Sequence, residues 1–395
     1  MPSGATSGLA LTLTGGGARG AYQAGVLSRL GEAVGDLEFG IITGVSAGAI
    51  NAAFLANHRG HFGLASQELA GLWNKLSTEE VLRGAPLELA RNVTRWGVQL
   101  LSGGMETLPR VRGLLDTEPL RKLLTRVLVD DEGELSGVRD NLERRRLKAF
   151  AVTTTSYATG QAITFAQHAS DQPRVFWERP YRVGCTATIG VEHVMASAAI
   201  PLLFPAVKIG NSWHGDGSVR QAAPLSPALR LGARRVLVIS TVREPNEHPR
   251  DSEKDDPYPS LARIVGVTLN SLLYGHTEFD AEQLRRITDL VRASQQPGSL
   301  RPVELFLMRP SADLGHVAAQ YEHKLPRALR YLTRGLGTRD ENSTDLLSTL
   351  LFDSAYTEQL VECGRRDAEA QLDALVRFVK GPEELPAVAT GPAVG

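Results

Sequence analysis

Cysteine and excess charge of one sign, two features that often assign a protein to a class, are scarce in this chain. Its 395 residues include only two cysteines, Cys185 and Cys363, without a C-x-x-C spacing or a cluster of histidines nearby. Neither a disulfide framework nor a structural zinc site is therefore indicated. The 43 basic and 44 acidic residues leave a formal net charge of −1. This balance offers no general electrostatic attraction for nucleic acid, so no nucleic-acid partner is expected.

Long apolar runs are also missing. No uncharged stretch approaches the ~20 residues of a membrane-spanning helix, and Met1 to Ser7 lack the basic start and apolar core of a secretion signal. The sequence therefore predicts a cytoplasmic protein. Peripheral contact with a membrane stays open, because an interfacial helix needs only one apolar face. Residues 91–101 mix apolar and basic side chains in this way, although a packed helix with a solvated edge is the simpler interpretation.

Short apolar runs alternate with helix-like segments along most of the chain. The runs at 9–13 and 39–43 are each followed by a glycine-bearing loop and then by a segment with helical spacing. Four more runs are candidate strands: 147–155, 161–167, 235–241 and 303–308. Such alternation is typical of a mostly parallel sheet covered by helices on both faces. The predicted fold class is therefore α/β, a three-layer sandwich.

The remaining segments suggest how the chain is divided. Residues 1–310 are predicted to form the α/β domain, with a mostly helical insertion at 64–135 that can act as a lid. Helical patterns return in a C-terminal region, 311–380. Residues 243–260 have almost nothing to bury and are predicted to form a mobile loop. The Pro-, Ala- and Gly-rich residues 381–395 are predicted to form a flexible tail.

The sequence Gly44-Val45-Ser46-Ala47-Gly48 lies between the second apolar run and a small-residue helix. This is the G-x-S-x-G pattern in the strand-to-helix context of a nucleophile elbow, where glycines leave room for a sharp turn. Ser46 is therefore the candidate nucleophile of a serine hydrolase, and Gly44 and Gly48 are the candidate elbow glycines. The simpler alternative is that Ser46 only caps the following helix.

The glycine-rich segment from Gly15 to Gly20 follows the first apolar run. Consecutive glycines let backbone N–H groups converge on one point, and the next helix adds its positive end. Gly15, Gly16 and Gly17, with Arg19 as a nearby cation, are therefore the candidate oxyanion hole. Phosphate binding is the rival interpretation, but the segment lacks the lysine of a P-loop and the G-x-G-x-x-G of a dinucleotide fold.

A serine nucleophile also needs a base. The clearest setting is His214-Gly215-Asp216-Gly217, where two glycines flank an aspartate in a turn that can present a carboxylate from a strand end. Taken alone, such an Asp-Gly pair is most often only a turn. A Ser-His-Asp arrangement with His214 as base also stays open, because residues two apart in a strand point to the same side.

Together these motifs resemble those of the bacterial and plant patatin-like phospholipases, whose hydrolytic site is a serine-aspartate dyad without histidine. The glycine-rich segment resembles the family's oxyanion loop, and the G-x-S-x-G segment resembles its nucleophile elbow. Residues 196–205, ASAAIPLLFP, resemble the small-residue segment between the two catalytic blocks. Asp216-Gly217 matches the first two positions of the family's Asp-Gly-Gly or Asp-Gly-Ala block, and Ser218 departs from the third. The resemblance extends over residues 9–240.

The resemblance implies a lipolytic acyl-ester hydrolase that acts on phospholipids or other acyl esters without a metal or another cofactor. Asp216 would accept the proton of Ser46, the serine would attack the ester carbonyl, and the glycine loop would bind the oxyanion. Two alternatives remain, a catalytically silent lipid-binding protein of the same fold and a Ser-His-Asp esterase. Head-group preference and oligomeric state, a homodimer included, stay open.

Overall fold

The computed structural model describes most of the chain. The described residues are 8–83, 112–130, 133–169, 175–243, 277–294, 300–327 and 344–381, with isolated positions in 91–95, 258–271 and 329–330. Three predictions fall wholly or mostly outside these residues: the interfacial or packed helix of 91–101, the mobile loop of 243–260 and the flexible tail of 381–395. Much of the stretch interpreted as a lid also lies outside them.

A ten-stranded sheet forms the centre of the described structure. The strands are β1 (Leu9–Leu13), β2 (Ile41–Val45), β3 (Ala149–Ser156), β4 (Ala162–His168), β5 (Phe176–Arg179), β6 (Arg182–Thr186), β7 (Val207–Ile209), β8 (Ser212–Asp216), β9 (Arg235–Ile239) and β10 (Glu304–Met308). Strands β10, β9, β1, β2 and β3 are parallel neighbours in that order. β4 and β8 pair antiparallel with β3. Beyond β4, the sheet continues with β6, which is parallel to β4, and then with β5, which is antiparallel to β6. The predicted mostly parallel sheet is confirmed.

Helices surround this sheet. They are α1 (Gly20–Ala33), α2 (Ala47–Asn57), α3 (Phe62–Lys75), α4 (Thr78–Val81), α5 (Glu118–Leu128), α6 (Ser136–Glu143), α7 (Val191–Ser197), α8 (Ser226–Arg230), α9 (Thr277–Ala293), α10 (Leu314–Tyr321), α11 (Thr344–Leu350), α12 (Ser354–Ala370) and α13 (Leu372–Lys380). Short 3-10 turns cover Gly17–Arg19, Gly217–Val219 and Glu322–Lys324. No helix in the described ranges combines the length and the apolar composition needed to cross a bilayer.

The two faces of the sheet carry separate cores. β1 is buried at every position, and its alternate residues Leu11 and Ala10 belong to different cores. One core also contains side chains of α1, α2, α3 and α12, and the other contains side chains of α8 and α9. Because successive strand residues point to opposite faces, strands covered on both sides are apolar throughout. The α/β class with helices on both faces is confirmed.

The C-terminal helix α12 packs closely against α1, the helix that follows the glycine-rich loop. A Cβ at Gly25 of α1 would lie 2.0 Å from the carbonyl oxygen of Val361, and one at Gly364 of α12 would lie 2.2 Å from that of Tyr22. Neither position has space for a side chain, so the two backbones pack closely. The Tyr22 hydroxyl also donates a hydrogen bond to Asp367 Oδ2 at 3.0 Å.

The topology brings the candidate site residues together at the carboxyl ends of the parallel strands. β1 and β2 are adjacent and parallel, so the loops after their carboxyl ends, which begin with Thr14 and Ser46, lie side by side. β8 runs antiparallel to β3, with Asp216 opposite Thr154. Because β3 is the parallel neighbour of β2, this pairing places Asp216 at the same end of the strands.

Candidate active site

Ser46 occupies the turn between β2 and α2 with φ 54° and ψ −130°, a strained conformation for any residue other than glycine. The two flanking glycines permit the turn. A Cβ at Gly44 would lie 2.3 Å from the Gly48 carbonyl oxygen, and one at Gly48 would lie 2.3 Å from that of Leu13. The Ser46 side chain makes no capping hydrogen bond to α2, which is fully described. The interpretation of Ser46 as a simple helix cap is therefore wrong.

Asp216 ends β8 and is completely buried. Its backbone N–H donates to the Ala199 carbonyl oxygen at 2.9 Å, and its Oδ1 accepts a hydrogen bond from the Ser218 backbone N–H at 2.8 Å. Oδ2 makes no hydrogen bond of good geometry to any described residue. Gly217 has no room for a side chain, because a Cβ there would lie 2.2 Å from the Thr153 carbonyl oxygen. The turn therefore holds the carboxylate firmly while leaving one oxygen available.

Burial raises the pKa of Asp216 to about 6, because the ionised carboxylate loses its hydration. The Ser46 hydroxyl and the backbone and hydroxyl groups of Ser218 interact with the carboxylate and lower the pKa in opposition. The structure thus brings Ser46 and Asp216 together. A pKa near 6 suits a carboxylate that accepts a proton at neutral pH.

Residues 196–205 hold both members of this pair in place. The Ser46 backbone N–H donates to Ser197 Oγ at 2.9 Å, and the Ser197 hydroxyl donates to the Thr153 carbonyl oxygen at 2.6 Å. Two residues later, Ala199 accepts the hydrogen bond from the Asp216 backbone. Sequence reasoning identified this segment only by resemblance and missed these positioning contacts.

The glycine-rich loop lies directly against Ser46. A Cβ at Gly15 would lie 3.1 Å from Ser46 Cβ and 2.7 Å from Ser218 Oγ, and Gly17 has φ 56°. Within the described residues, the backbone N–H groups of Gly15, Gly16 and Gly17 have no hydrogen-bond acceptor. These donors are therefore available to an anionic oxygen formed next to Ser46.

Two threonines, Thr241 and Thr349, pack against the loop. The Thr241 hydroxyl donates a hydrogen bond to the Gly15 carbonyl oxygen. A Cβ at Gly16 would lie 2.6 Å from Thr241 Oγ1, and one at Gly17 would lie 2.2 Å from the Thr349 carbonyl oxygen. A side chain at Gly16 or Gly17 would therefore displace the loop.

A cavity of about 250 Å³ lies beside Ser46, among α2, α3, α4 and α5. Its lining is mostly apolar, with contributions such as Phe54 from α2 and Leu124 from α5. The charged lining residues are Lys75, Glu80 and Arg126, all partly or fully exposed. The cavity thus extends from the serine through an apolar interior toward solvent.

The motifs and this geometry agree with a comparison of the chain with known families. The family model for patatin-like phospholipases matches residues 11–229, more than half of the chain. This protein belongs to the patatin-like phospholipase family. The matched range includes the glycine-rich loop, the elbow and Asp216, so the resemblance inferred from the motifs is confirmed. Among curated proteins, none matches this chain in sequence.

Several solved structures are distantly similar to this chain. Human GIVD cytosolic phospholipase A2, solved with methyl gamma-linolenyl fluorophosphonate and terbium chloride, is 14% identical with a TM-score of 0.45, and the match covers 94% of this chain but 59% of that one. VipD from Legionella pneumophila is 15% identical with a TM-score of 0.33, covering 87% of this chain and 67% of VipD. These likenesses are distant, so the family assignment rests on the family model.

Arg19 lies in the matched region, whereas Ser348, to which it is hydrogen-bonded, does not. The Arg19 side chain is buried, and its Nε donates to Ser348 Oγ at 2.7 Å. Ser348 and Thr349 belong to α11, well beyond the last matched residue. The predicted role of Arg19 in the oxyanion hole stays a prediction. The contact itself ties the glycine-rich loop to the C-terminal helices.

His214 lacks the contacts that a catalytic base needs. Its Nδ1 shares a hydrogen bond with Thr154 Oγ1 at 2.9 Å, and its ring lies against Phe165 with centroids 5.7 Å apart. Burial lowers the pKa of His214, and burial also lowers the pKa of the neighbouring His193 to about 4. Neither imidazole is hydrogen-bonded to Ser46 or Asp216 among the described residues. The geometry therefore does not support the Ser-His-Asp alternative with His214.

A buried hydrogen-bond network beneath the site was also missed from the sequence. Gln23 Nε2 donates to the Thr14 carbonyl oxygen at 2.9 Å, and Asn51 Nδ2 donates to Gln23 Oε1 at 2.9 Å. Trp73 Nε1 completes the network by donating to Asn51 Oδ1 at 2.8 Å. Satisfied buried networks make a core rigid. The available signal was the presence of Gln23 and Asn51, two amide side chains whose sequence neighbours in α1 and α2 are mostly small or apolar.

The crowding at Gly16 leads to a testable expectation. We expect Gly16→Val to lower kcat for ester hydrolysis by about 10²–10³, because the new side chain pushes the N–H donors away from the oxyanion. Gly71→Val is the matched control, since no other group lies within 4 Å of a Cβ at Gly71. Steady-state kinetics on a soluble ester would check this. Unchanged turnover in a folded Gly16→Val variant would remove the loop from the mechanism.

Proposed function

We propose that this protein is a serine acyl-ester hydrolase of the phospholipase or esterase type, with Ser46 as nucleophile and Asp216 as base. One observation carries the proposal: the strained Ser46 lies at the end of an apolar cavity, and its hydroxyl interacts with a buried carboxylate. A serine that only shaped the backbone would need neither the carboxylate nor the cavity.

The geometry supports a two-step mechanism. The ionised Asp216 carboxylate accepts the proton of Ser46 as Oγ attacks the carbonyl carbon of the ester. The backbone N–H groups of Gly15 to Gly17 bind the resulting oxyanion. The alcohol leaves with the proton held by Asp216, and an acyl-enzyme remains. Water then gives its proton to Asp216 and attacks the acyl carbon, which releases the fatty acid and returns the proton to Ser46.

The apolar cavity favours a long acyl chain over a small polar acid. Burial of each methylene group is worth about 0.8 kcal/mol, and the lining offers side chains such as Ile50, Phe54 and Leu124 for this purpose. We therefore propose phospholipids or other long-chain acyl esters as substrates, with the acyl chain in the cavity and the ester next to Ser46.

A cavity-filling variant tests the acyl site. We expect Leu124→Trp to lower kcat/KM for a long-chain p-nitrophenyl ester about tenfold or more, because the indole occupies space that the chain needs. The acetyl ester, which does not reach this far, should change less than about threefold. Thr125→Trp is the control, since Thr125 is exposed and is not part of the lining. Equal losses on both esters in Leu124→Trp would contradict this assignment.

The reaction itself is tested by fatty-acid release from phosphatidylglycerol in mixed micelles. We expect release by the wild-type protein and none by Ser46→Ala. A folded wild type that binds these micelles and hydrolyses neither phospholipid nor any p-nitrophenyl ester would refute the proposal. That result would favour the catalytically silent lipid-binding alternative.

A further inference from the structure

We propose that an aromatic and cationic surface next to the candidate active site docks this protein on the face of an anionic phospholipid bilayer. The docking surface consists of Tyr157, Tyr181, Lys208, Trp213 and Arg220. The inference rests on the proposed function, because a hydrolase of membrane lipids meets its substrate at such a surface.

Three large aromatic side chains of the docking surface are unusually exposed. The exposed fraction is 50% for Tyr157, 64% for Tyr181 and 46% for Trp213. Large aromatic side chains stabilise a protein mainly when they are buried. Three exposed ones in one region therefore indicate an interaction site. Tyrosine and tryptophan combine an apolar ring with a polar group, and they are enriched at the head-group level of membranes.

Tyr157, Trp213 and Lys208 share one face of the β7–β8 hairpin. Trp213 and Gly215 are two residues apart on β8 and therefore lie on the same face. A Cβ at Gly215 would lie 2.3 Å from the Tyr157 hydroxyl oxygen, so Tyr157 covers Gly215 next to Trp213. Lys208 is directly opposite Trp213 in the antiparallel pair, and such cross-strand neighbours share a face. Lys208 is also exposed.

Arg220 and Tyr181 form the adjoining part of the surface. The Arg220 guanidinium carbon lies 5.2 Å from the centre of the Tyr181 ring, within range of a cation–π interaction. Arg220 Nε donates to the Gly160 carbonyl oxygen at 2.9 Å. Gly160 is in the β3–β4 turn that also contains Tyr157. The two parts therefore meet at this turn.

The charge of the docking surface indicates which partner it fits. In the part of the chain that the structure describes, neither Lys208 nor Arg220 forms an ion pair with a carboxylate. Both side chains are exposed. Two unneutralised cations among interfacial aromatic rings complement lipid phosphates, and each cation near an anionic leaflet is worth about 1 kcal/mol. This combination fits an anionic lipid surface better than an apolar protein partner.

The docking surface lies at the edge of the sheet where the ester would be cleaved. β2 and β3 are parallel, with Val45 opposite Thr153, so Ser46 and Tyr157 both follow the carboxyl ends of their strands. The Tyr157 hydroxyl lies over Gly215, which directly precedes Asp216 in β8; burial and the charge of Asp216 raise the pKa of Tyr157. A bilayer bound here would lie next to the Ser46 and Asp216 pair.

Vesicle sedimentation tests the surface separately from hydrolysis. The full chain carrying Ser46→Ala, which leaves the lipids intact, is mixed with phosphatidylglycerol vesicles or with phosphatidylcholine vesicles. We expect binding to phosphatidylglycerol, with the partition coefficient at least about tenfold lower once Tyr181→Ala, Trp213→Ala and Arg220→Glu are added. The control adds Phe279→Ala, Leu290→Ala and Arg285→Glu, which alter exposed residues of α9 outside the docking surface. It should bind like the parent.

The outcomes separate the two proposals. Equal vesicle binding by the surface variant and its parent would overturn the docking proposal, as would no binding to phosphatidylglycerol by the parent. A change in sedimentation velocity without a change in vesicle binding would assign the surface to contacts between copies of the chain, and would also overturn it. When the same three surface substitutions are made in a chain that keeps Ser46, that variant should hydrolyse a soluble short-chain ester at the wild-type rate. Absent hydrolysis by the wild type would refute the proposed function alone.

Discussion

Replacement of Ser46 by alanine is expected to lower kcat for ester hydrolysis by about 10⁴–10⁶ and to leave the protein folded. The hydroxyl is the proposed nucleophile, and no acyl-enzyme forms without it. Alanine retains the Cβ and the backbone N–H that donates to Ser197 Oγ, so the elbow should persist. Kinetics on a soluble ester and circular dichroism measure the two effects separately.

Covalent labelling provides a second test of Ser46 as the nucleophile. A fluorophosphonate should add once to the wild-type protein, as determined by intact mass, and not at all to Ser46→Ala. Ser66→Ala is a matched control, because Ser66 is also buried but its hydroxyl, among the described residues, donates to the Gly63 carbonyl oxygen within α3. It should label normally. Labelling at a different serine, or full turnover by Ser46→Ala, would show that Ser46 is not the nucleophile.

Replacement of Asp216 by asparagine is the second change with a large expected effect. We expect turnover to fall by about 10²–10⁴, because an amide cannot accept the Ser46 proton. The amide keeps an oxygen that can accept the hydrogen bond from the Ser218 backbone, so the turn should remain. Fluorophosphonate labelling of Ser46 should also slow in this variant. Undiminished turnover in Asp216→Asn would exclude the carboxylate as the base.

The pKa of Asp216 also predicts a pH dependence. Only the ionised carboxylate accepts a proton, so kcat/KM of the wild type should rise through a pH of about 6 and level off above it. The residual activity of Asp216→Asn should lack this inflection. Profiles of kcat/KM on a soluble ester between about pH 4.5 and 8 would check this. A flat wild-type profile across that range would contradict the assignment.

The raised pKa of Asp216 should also make the stability of the folded protein depend on pH. The ordinary pKa of an aspartate is about 3.9, whereas burial raises that of folded Asp216 to about 6. The folded state therefore binds more protons between these values, and the stability that this provides below about pH 3.9 is lost as the pH rises through about 6. The free energy of unfolding of Asp216→Asn minus that of wild type should therefore increase by on the order of 2–3 kcal/mol between pH 4 and pH 8. Urea titrations at both values measure this difference.

Local patterns were sufficient for the buried strands and for the elbow. All six predicted strands are present within about two residues, because helices cover both faces of the parallel strands and make them apolar runs that are visible in the sequence. Strands β5 to β8 were not predicted. They contain three to five residues each, and β5 is mostly exposed. Such short strands carry too little periodicity to be recognised.

The sequence by itself determined the α/β class, the family and the positions of the two loops, because strand periodicity and glycine-dependent turns are properties of neighbouring residues. Only the tertiary structure decided what those loops meet. Arg19 bonds Ser348, which lies 329 residues away, and Ser46 bonds Ser197, which lies 151 residues away. The pKa of Asp216 likewise depends on burial by several elements at once. Long-range contacts and desolvation arise only when the chain is folded, so no local pattern encodes them.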